Sequence, residues 1–206
     1  MTNQLPELPY PSEALEPYYD EATVRLYHDV YYKAYVDGLN KLEGKLAEIR
    51  DVGDFPLIKN WERELASHSA SHQLHSLFWQ NMCPGSGGSA QGILAERITK
   101  DFGSFDNFKK QFTGAAVAAE RSGWTLLVWS PFFEELEILQ AEKHQDLTQW
   151  GVIPLLIVDV WEHAYDFKYQ NERACWLESC WNLVDWKDVL KRFERESEIN
   201  EMNYGE

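Results

Sequence analysis

Three histidines of the sequence recur at the spacing of one helix face. His68, His72 and His75 lie in an apolar stripe that repeats every three or four positions from Trp61 to Met82. A single histidine in such a stripe is commonly a core residue that is hydrogen-bonded to a neighbour. When three lie together, each needs a partner for both ring nitrogens, because burying an unpaired ring nitrogen costs free energy. Because neutral imidazole is the commonest metal ligand, the stripe indicates either a metal site or a hydrogen-bonded core.

A second candidate lies at the end of the apolar run PLLIVDV (154–160). Asp159 and His163 are four residues apart where the chain leaves this run, so a turn into a helix would bring both side chains to one point. A buried aspartate needs a counter-charge, and a cation bound jointly with His163 supplies it. The alternative is that Asp159 caps the following helix. A third ligand from elsewhere in the chain would favour the metal site.

These residues need a scaffold, and the chain divides into two halves. Two amphipathic stripes, 24–49 and 61–82, predict a helical hairpin. The glycine-rich break at 84–92 follows, and beyond it short apolar runs stand between segments of helical spacing. The runs that we interpret as strands are WTLLVWS (124–130), LEILQAEK (136–143) and PLLIVDV (154–160). The sequence therefore predicts an α+β fold, with a helical hairpin domain over 1–86 and an α/β domain over 87–206.

Composition excludes several classes of protein. Hydrophobic residues are 44% and charged residues 26% of the 206, which is typical of a globular protein. No apolar run approaches the ~20 residues of a membrane helix. The net charge of −15 disfavours nucleic acid or an anionic membrane surface as a partner. The N-terminus lacks the features of a secretory signal, and three cysteines without a CxxC pair fit a reducing cytoplasm, so we expect a cytoplasmic protein.

The segment that contains Asp159 and His163 carries a resemblance to a known family. DVWEHAYDFKYQNERACWLESCWNLVDW (159–186) resembles the C-terminal signature of the iron/manganese superoxide dismutases, D-x-W-E-H-A-Y followed by Y-Q-N-x-R and W-N-x-V-x-W. HSLFW (75–79) resembles the motif of that family's second helix, and 5–17 and 101–112 resemble its N-terminal arm and interdomain segment. The resemblance implies a helical hairpin and an α/β domain with a three-stranded antiparallel sheet.

The resemblance also implies roles for single residues. The residues that match its metal ligands, for one manganese or iron ion per subunit, are His75, Asp159 and His163. Tyr35 matches a tyrosine at the substrate channel, and Gln145 matches the glutamine that hydrogen-bonds the metal-bound solvent in manganese-type members. The implied activity is dismutation of superoxide. The implied assembly is a homodimer in which Glu162 reaches a ligand histidine across the interface.

The first helix departs from the family pattern, in which the first of four histidines binds the metal. Alignment on YVDGLN places Tyr27 at that ligand position and Tyr31 at the position of a gateway histidine, while Asp166 replaces a tyrosine of the same network. His28 is one residue along, about 100° away around the helix. Tyr27 either binds the ion as a phenolate or fills the position without binding. At i, i+4 and i+8, Tyr27, Tyr31 and Tyr35 are predicted to line the site in a column.

Three functions follow from these residues. The first is a superoxide dismutase, which a phenolate ligand from Tyr27 would slow. The second is a protein of the same fold with a degraded or empty metal site and a structural or interaction role. The third is another mononuclear iron chemistry on a site with two histidines and one carboxylate. Gln145 favours manganese, and a Tyr27 phenolate favours ferric iron. Lys33 and Arg173 either focus an anion or are ordinary surface charges.

Overall fold

The first half of the protein is helical. The computed structural model describes residues 2–120 and 122–204. Helix α1 (Glu21–Leu26), a π-helical segment (Tyr27–Tyr32) and α2 (Lys33–Val52) follow one another without a break. Helix α3 (Ile58–Gln80) then packs along α2, as the two apolar stripes predict. The remaining elements are α4 (Gly92–Phe102), α5 (Phe105–Ala118), β1 (Gly123–Ser130), β2 (Glu135–Glu142), β3 (Ile153–Asp159), α6 (Glu162–Tyr169), α7 (Arg173–Trp181) and α8 (Trp186–Tyr204).

The ends of the hairpin helices have local causes. The side chain of Asp20 accepts a hydrogen bond from the Thr23 N–H at 2.9 Å and caps the start of α1. Helix α2 ends at Gly53, which has a φ of +72° and donates its N–H to the Ile49 carbonyl at 2.9 Å. Glycine adopts this left-handed conformation at low cost, so the chain can turn here and return as α3.

The described residues form a three-stranded antiparallel sheet in the order β2-β1-β3. The central strand β1 is buried along its whole length, as its uninterrupted apolar sequence predicts. At Gly123 a Cβ atom would lie 2.0 Å from the Ala141 carbonyl oxygen, so only glycine lets β1 and β2 pair closely here. Each predicted strand is within one residue of the observed one, and the α+β fold is confirmed.

The π-helical segment changes which tyrosines are buried. Tyr27 and Tyr32 are fully buried, whereas Tyr31 is 38% exposed. In the i→i+5 hydrogen-bonding pattern of a π-helix, residues five apart lie on about the same face, which an α-helix does not allow. Tyr32 therefore lies on the inner face beside Tyr27, in addition to the predicted column of Tyr27, Tyr31 and Tyr35.

Side-chain hydrogen bonds fix the two halves against each other. At the end of α3, Asn81 donates to the Leu155 carbonyl at 3.2 Å and accepts from the Ile157 N–H at 2.9 Å. Tyr19, which precedes α1, donates its hydroxyl to the carbonyl of Ala164 at 2.7 Å. These buried bonds hold α3 against β3, and the N-terminal arm against α6. They set the distance between the two sides of the site described next.

Across residues 2–120 and 122–204, no helix is long and apolar enough to cross a membrane. The segment between α3 and α4 contains the glycine-rich break of the sequence. The division into 1–86 and 87–206 stays a prediction.

Candidate metal centre

Three predicted ligands converge between the helical hairpin and the sheet. His75 lies on α3, Asp159 is the last residue of β3, and His163 is the second residue of α6. One ligand atom from each lies within 4.8 Å of the other two. His75 and Asp159 are fully buried, and His163 is half-buried. The third candidate ligand, whose presence favours a metal site, therefore comes from α3.

His75 presents a lone pair to this point. Its Nδ1 donates to the Ser71 carbonyl one turn earlier at 2.7 Å, which leaves Nε2 without a hydrogen. Burial lowers the pKa of His75 to about 3, so the ring is neutral at physiological pH. Within the described part of the chain, Nε2 of His75 is buried and has no hydrogen-bond partner. Such an atom loses its hydration without compensation unless a cation or a donor reaches it.

Asp159 uses its two oxygens differently. Oδ1 accepts from the Trp161 N–H at 2.7 Å, and Oδ2 accepts from the hydroxyl of Tyr27. Burial raises the pKa of Asp159 to about 8, because a carboxylate loses its hydration here. Helix α6 starts at Glu162, so the bond to Trp161 shapes the turn before the helix. The capping alternative thus accounts for one oxygen and leaves the other for the site.

His163 completes the set from the other side of that turn. Burial lowers its pKa to about 4, so this imidazole is neutral as well. Among residues 2–120 and 122–204, its Nε2 is another buried nitrogen without a hydrogen-bond partner. Two neutral imidazoles and one carboxylate are ligands that iron and manganese accept. A cation at their centre would satisfy both nitrogens and neutralise the carboxylate, so the residues fit a metal ion.

Tyr27 faces the same point from the first helix. Its ring centroid lies 5.2 Å from that of His75 and 5.1 Å from that of His163, nearly perpendicular to both rings. Its hydroxyl donates to Asp159. His28, by contrast, points away, and its Nε2 lies 2.9 Å from the Pro6 carbonyl oxygen. Of these two neighbours, Tyr27 is therefore the one that faces the candidate ligands.

The other tyrosines of the first helix form the rest of this wall. Tyr31 packs on His163 with ring centroids 5.0 Å apart. Tyr35 lies 5.6 Å from the ring of His75, and burial raises its pKa above the ordinary value of 10. Tyr32 stacks on His75 at 5.0 Å and was missed from the sequence. The π-helical segment, which has no clear sequence pattern, explains why it was missed.

His144 is a second residue that the sequence analysis left without a role. It is buried, its Nδ1 accepts from Trp124 Nε1 at 3.0 Å, and its hydrogen is therefore on Nε2. Its ring lies 4.8 Å from Tyr35 and 5.7 Å from His75. The neighbouring Gln145 is half-buried. The only sequence signal for His144 was its position directly before Gln145.

Tryptophans close the site. Trp79 lies 5.2 Å from Tyr27, and Trp124 lies 5.1 Å from His75, each measured between ring centroids. Trp161 stacks on His144 at 4.9 Å and lies 5.4 Å from His163. All three belong to the apolar core or pack against it. The ligands therefore sit in a low-dielectric, largely dry environment, where a bound charge is weakly screened.

The remaining histidines of the α3 stripe have other partners. His72 Nδ1 lies 2.7 Å from the hydroxyl of Tyr32, and the His68 ring packs edge-on to Tyr35 at 5.7 Å. Neither belongs to a group of converging ligand atoms in the described residues. The stripe thus holds one candidate ligand and two half-buried histidines that contact tyrosines of the first helix.

Charged residues near the site lie mainly at the surface. Lys33 is exposed and pairs with Asp37. Arg173 donates to the Ala119 carbonyl at 2.7 Å, beyond the end of α5. Glu162 and Asp166 are both exposed in the single chain. Lys33 thus lies at the surface, whereas the half-buried Arg173 lowers the pKa of Asp159, against the larger effect of burial.

The fold and these candidate ligands are typical of a mononuclear metalloprotein whose site lies between a helical hairpin and an α/β domain. The sequence model of the alpha-hairpin domain of the iron/manganese superoxide dismutases matches residues 2–83. The model of the C-terminal domain of the same family matches residues 90–192. The chain belongs to the iron/manganese superoxide dismutase family.

Individual relatives agree with this assignment. The chain is 49% identical to a probable superoxide dismutase [Fe] of Bacillus subtilis, over 95% of this chain and 69% of that protein. It is 47% identical to a superoxide dismutase [Fe] of Methanothermobacter marburgensis, over 93% of this chain and 96% of that protein. A superoxide dismutase [Mn/Fe] of Propionibacterium freudenreichii subsp. shermanii is 46% identical, over 92% and 95%.

Proposed function

We propose that this chain dismutes superoxide at a manganese or iron ion that His75, Asp159 and His163 hold, one ion per subunit. Superoxide dismutation is the activity of the family to which the chain belongs, and manganese or iron is its cofactor. The observation that carries the ligand assignment is the pair of buried Nε2 atoms beside a buried carboxylate. All three ligand atoms lie within 4.8 Å of one another.

The bound metal supplies one-electron redox chemistry, by which two superoxide ions and two protons become dioxygen and hydrogen peroxide. Zinc has no second oxidation state for this cycle, whereas iron and manganese do. The protein contributes the neutral imidazoles, because the lowered pKa values of His75 and His163 keep their lone pairs free at physiological pH. The tryptophans limit the access of water.

Tyr35 and Gln145 are the residues that we propose to act on the substrate side of the site. The raised pKa of Tyr35 keeps the proton on its hydroxyl at neutral pH, so this group can donate a hydrogen bond or a proton. Gln145 has the same capacity through its amide. His144, with its hydrogen on Nε2, is an alternative donor, and its ring centroid lies 4.8 Å from that of Tyr35.

Matched substitutions can distinguish whether Gln145 or His144 is the hydrogen-bond or proton donor in the reaction. If Gln145 acts in the reaction, Gln145→Ala slows superoxide turnover at unchanged metal content, and His144→Ala has the smaller effect. If His144 is the donor, the order is reversed. A steady-state assay on protein of known metal content measures both variants. Equal, negligible effects would contradict a role for either residue.

The proposed assembly is a two-fold dimer in which Glu162 contacts His163 of the partner subunit. Support comes from the position of Glu162, which starts α6, is exposed in the single chain and directly precedes His163. Such a contact is isologous, so the same patch serves both chains. Sedimentation at micromolar concentration should give a dimer that Glu162→Ala weakens. Glu178→Ala, an exposed acidic residue of α7, is the matched control, and a monomeric wild type would contradict the dimer.

Metal analysis together with a superoxide assay tests the main proposal. Protein purified after growth with added manganese and iron should contain one ion per subunit and should consume superoxide. Metal-free, inactive protein would instead indicate a fold kept for a structural role. Protein that binds iron but leaves superoxide unchanged would indicate another mononuclear iron chemistry. His163→Gln, which keeps the side chain polar but removes the imidazole, should lose both metal and activity.

A further inference from the structure

Tyr27 lies at the centre of the site, and its hydroxyl points at the candidate ligands. The residue is fully buried, and its ring stands between the rings of His75 and His163. Phe78 and Trp79 pack on it at 5.7 and 5.2 Å between ring centroids. These contacts hold the ring in one orientation, so its hydroxyl is directed at Asp159.

A hydrogen bond from Tyr27 to Asp159 does not satisfy this site. The phenol has one hydrogen, and Asp159 accepts it. In the part of the chain that the structure describes, Nε2 of His75 and Nε2 of His163 are both buried without partners beside that bond. Leaving two such nitrogens unpaired is costly in an apolar surrounding. A single cation between the hydroxyl oxygen, the carboxylate and the two nitrogens would satisfy all four groups.

We propose that Tyr27 is a direct ligand of the ion, through Oη, together with His75, Asp159 and His163. The inference rests on the proposed function, since it needs an ion at this site. When the oxygen binds the ion, the phenol proton leaves to solvent, because a ligand of this kind binds in its deprotonated form. The first helix thus contributes an anionic oxygen where the family pattern places a neutral imidazole.

This ligand changes the charge of the site and its preferred metal. Two neutral imidazoles, one carboxylate and one phenolate carry two negative charges, one more than a set of three imidazoles and a carboxylate. The added charge stabilises a trivalent ion more than a divalent one, and the surrounding tryptophans leave it weakly screened. The site is therefore suited to ferric iron, and its reduction is harder than with an imidazole at position 27.

A ferric phenolate has an optical signature that does not depend on turnover. Iron-loaded protein is expected to show a phenolate-to-iron charge-transfer band in the visible region, together with phenolate vibrations in the resonance Raman spectrum. Tyr27→Phe keeps the ring and removes only the oxygen, so it should abolish the band and weaken iron binding on the order of 10–100-fold. Tyr31→Phe, which alters a half-exposed tyrosine beside His163, should keep the band.

Iron content measured on the same samples separates this inference from the proposed function. Wild type that binds one iron per subunit but lacks the band would overturn the assignment of Tyr27 and leave the three-ligand site intact. Wild type that binds no iron would overturn both. A band that persists in Tyr27→Phe would also overturn the assignment. If Tyr27→Phe fails to fold or to hold iron, Tyr27→His supplies a nitrogen ligand instead, and it should hold iron without the band.

Discussion

The two sides of the metal site are built differently. On one side, Asp159 and His163 lie at the end of a strand and the start of a helix, and Trp161 and Trp176 donate to the side chain and the carbonyl of Asp159 at 2.7 and 2.9 Å. On the other side, the π-helical segment presents tyrosine rings that contact the histidines. The first side is positioned by hydrogen bonds to the side chain and carbonyl of Asp159, and the second by aromatic packing.

This difference separates two properties of the centre. Asp159 is held at the end of β3 by the pairing of β3 with β1 and by hydrogen bonds from Trp161 and Trp176. The other side, the π-helical segment Tyr27–Tyr32, is called the helix side below. A substitution there can replace one ring by another of similar volume and thereby change the charge of the group that faces the ion. We infer that the β3–α6 side has the larger influence on metal affinity, and that the residue at position 27 has the larger influence on which oxidation state is favoured.

The largest effect is expected from Asp159→Asn on the β3–α6 side. The substitution keeps the shape and removes the charge that a cation needs, so metal affinity should fall by more than ~100-fold, beyond the losses that changes around the ligands cause. Superoxide turnover should fall with it. Metal content and activity measure the effect, and Asp166→Asn, an exposed aspartate of α6, is the control. Full metal content in Asp159→Asn would contradict the assignment of the carboxylate.

A smaller effect is expected from Tyr27→His on the helix side. An imidazole in place of the phenolate removes one negative charge, which should raise the reduction potential of the ion and speed the half-cycle in which superoxide reduces it. Turnover should rise on the order of tenfold, while one ion per subunit is retained. Redox titration and a superoxide assay on wild type and variant measure this. If the variant has a lower potential and slower turnover, Tyr27 is not what limits the chemistry.

The same difference explains how much of the site could be predicted. The apolar strands and stripes gave the three strands and the helical hairpin, since burial alone fixes their pattern. Asp159 and His163 were found because they are close in the sequence. Tyr32 was missed because a π-helical segment shifts the buried face of the first helix by one residue, and His144 was missed because no pattern in the sequence marks it. The place of His144 also depends on how Trp124 and Trp161 pack around it.

Acid should lower the free energy of unfolding of the metal-free protein. The pKa values of His75, His144 and His163 are about 3, 4 and 4, below the ordinary 6.5, because all three are buried. Between pH 6.5 and about 4 the unfolded chain binds these three protons and the folded chain does not, so the free energy of unfolding falls as the pH falls. The pKa of Asp159, about 8, offsets one of them, since the folded carboxyl already carries its proton.

Thermal melts of the metal-free protein across this range measure the loss. The free energy of unfolding should fall by about 1.4 kcal/mol per pH unit for each proton that the unfolded chain binds in excess of the folded chain. His144→Gln removes one of the titrating groups without touching the three proposed ligands, so it should flatten the profile. A melting temperature in wild type that stays constant from pH 6.5 to 4 would show that these imidazoles are not held neutral.

The smallest effect is expected from Tyr32→Phe, which tests whether packing alone positions the helix side. The Tyr32 hydroxyl lies 2.7 Å from His72 Nδ1 and 2.6 Å from Ser76 Oγ, so it ties the π-helical segment to α3. Removing the Tyr32 hydroxyl leaves His72 Nδ1 and the Ser76 hydroxyl with one hydrogen-bond partner fewer each. The cost is about 1–2 kcal/mol in the free energy of unfolding. The melting temperature should fall by roughly 2–8 °C.

The phenyl ring of the variant keeps its stacking on His75, so one metal ion per subunit should be retained. Tyr31→Phe is the matched control, because it removes a hydroxyl from a half-exposed tyrosine of the same segment and should leave the melting temperature unchanged. Loss of metal in Tyr32→Phe at an unchanged melting temperature would mean that the hydroxyl, through His72 and Ser76, positions His75. The helix side would then depend on hydrogen bonds as the β3–α6 side does, and the distinction between the two would fail.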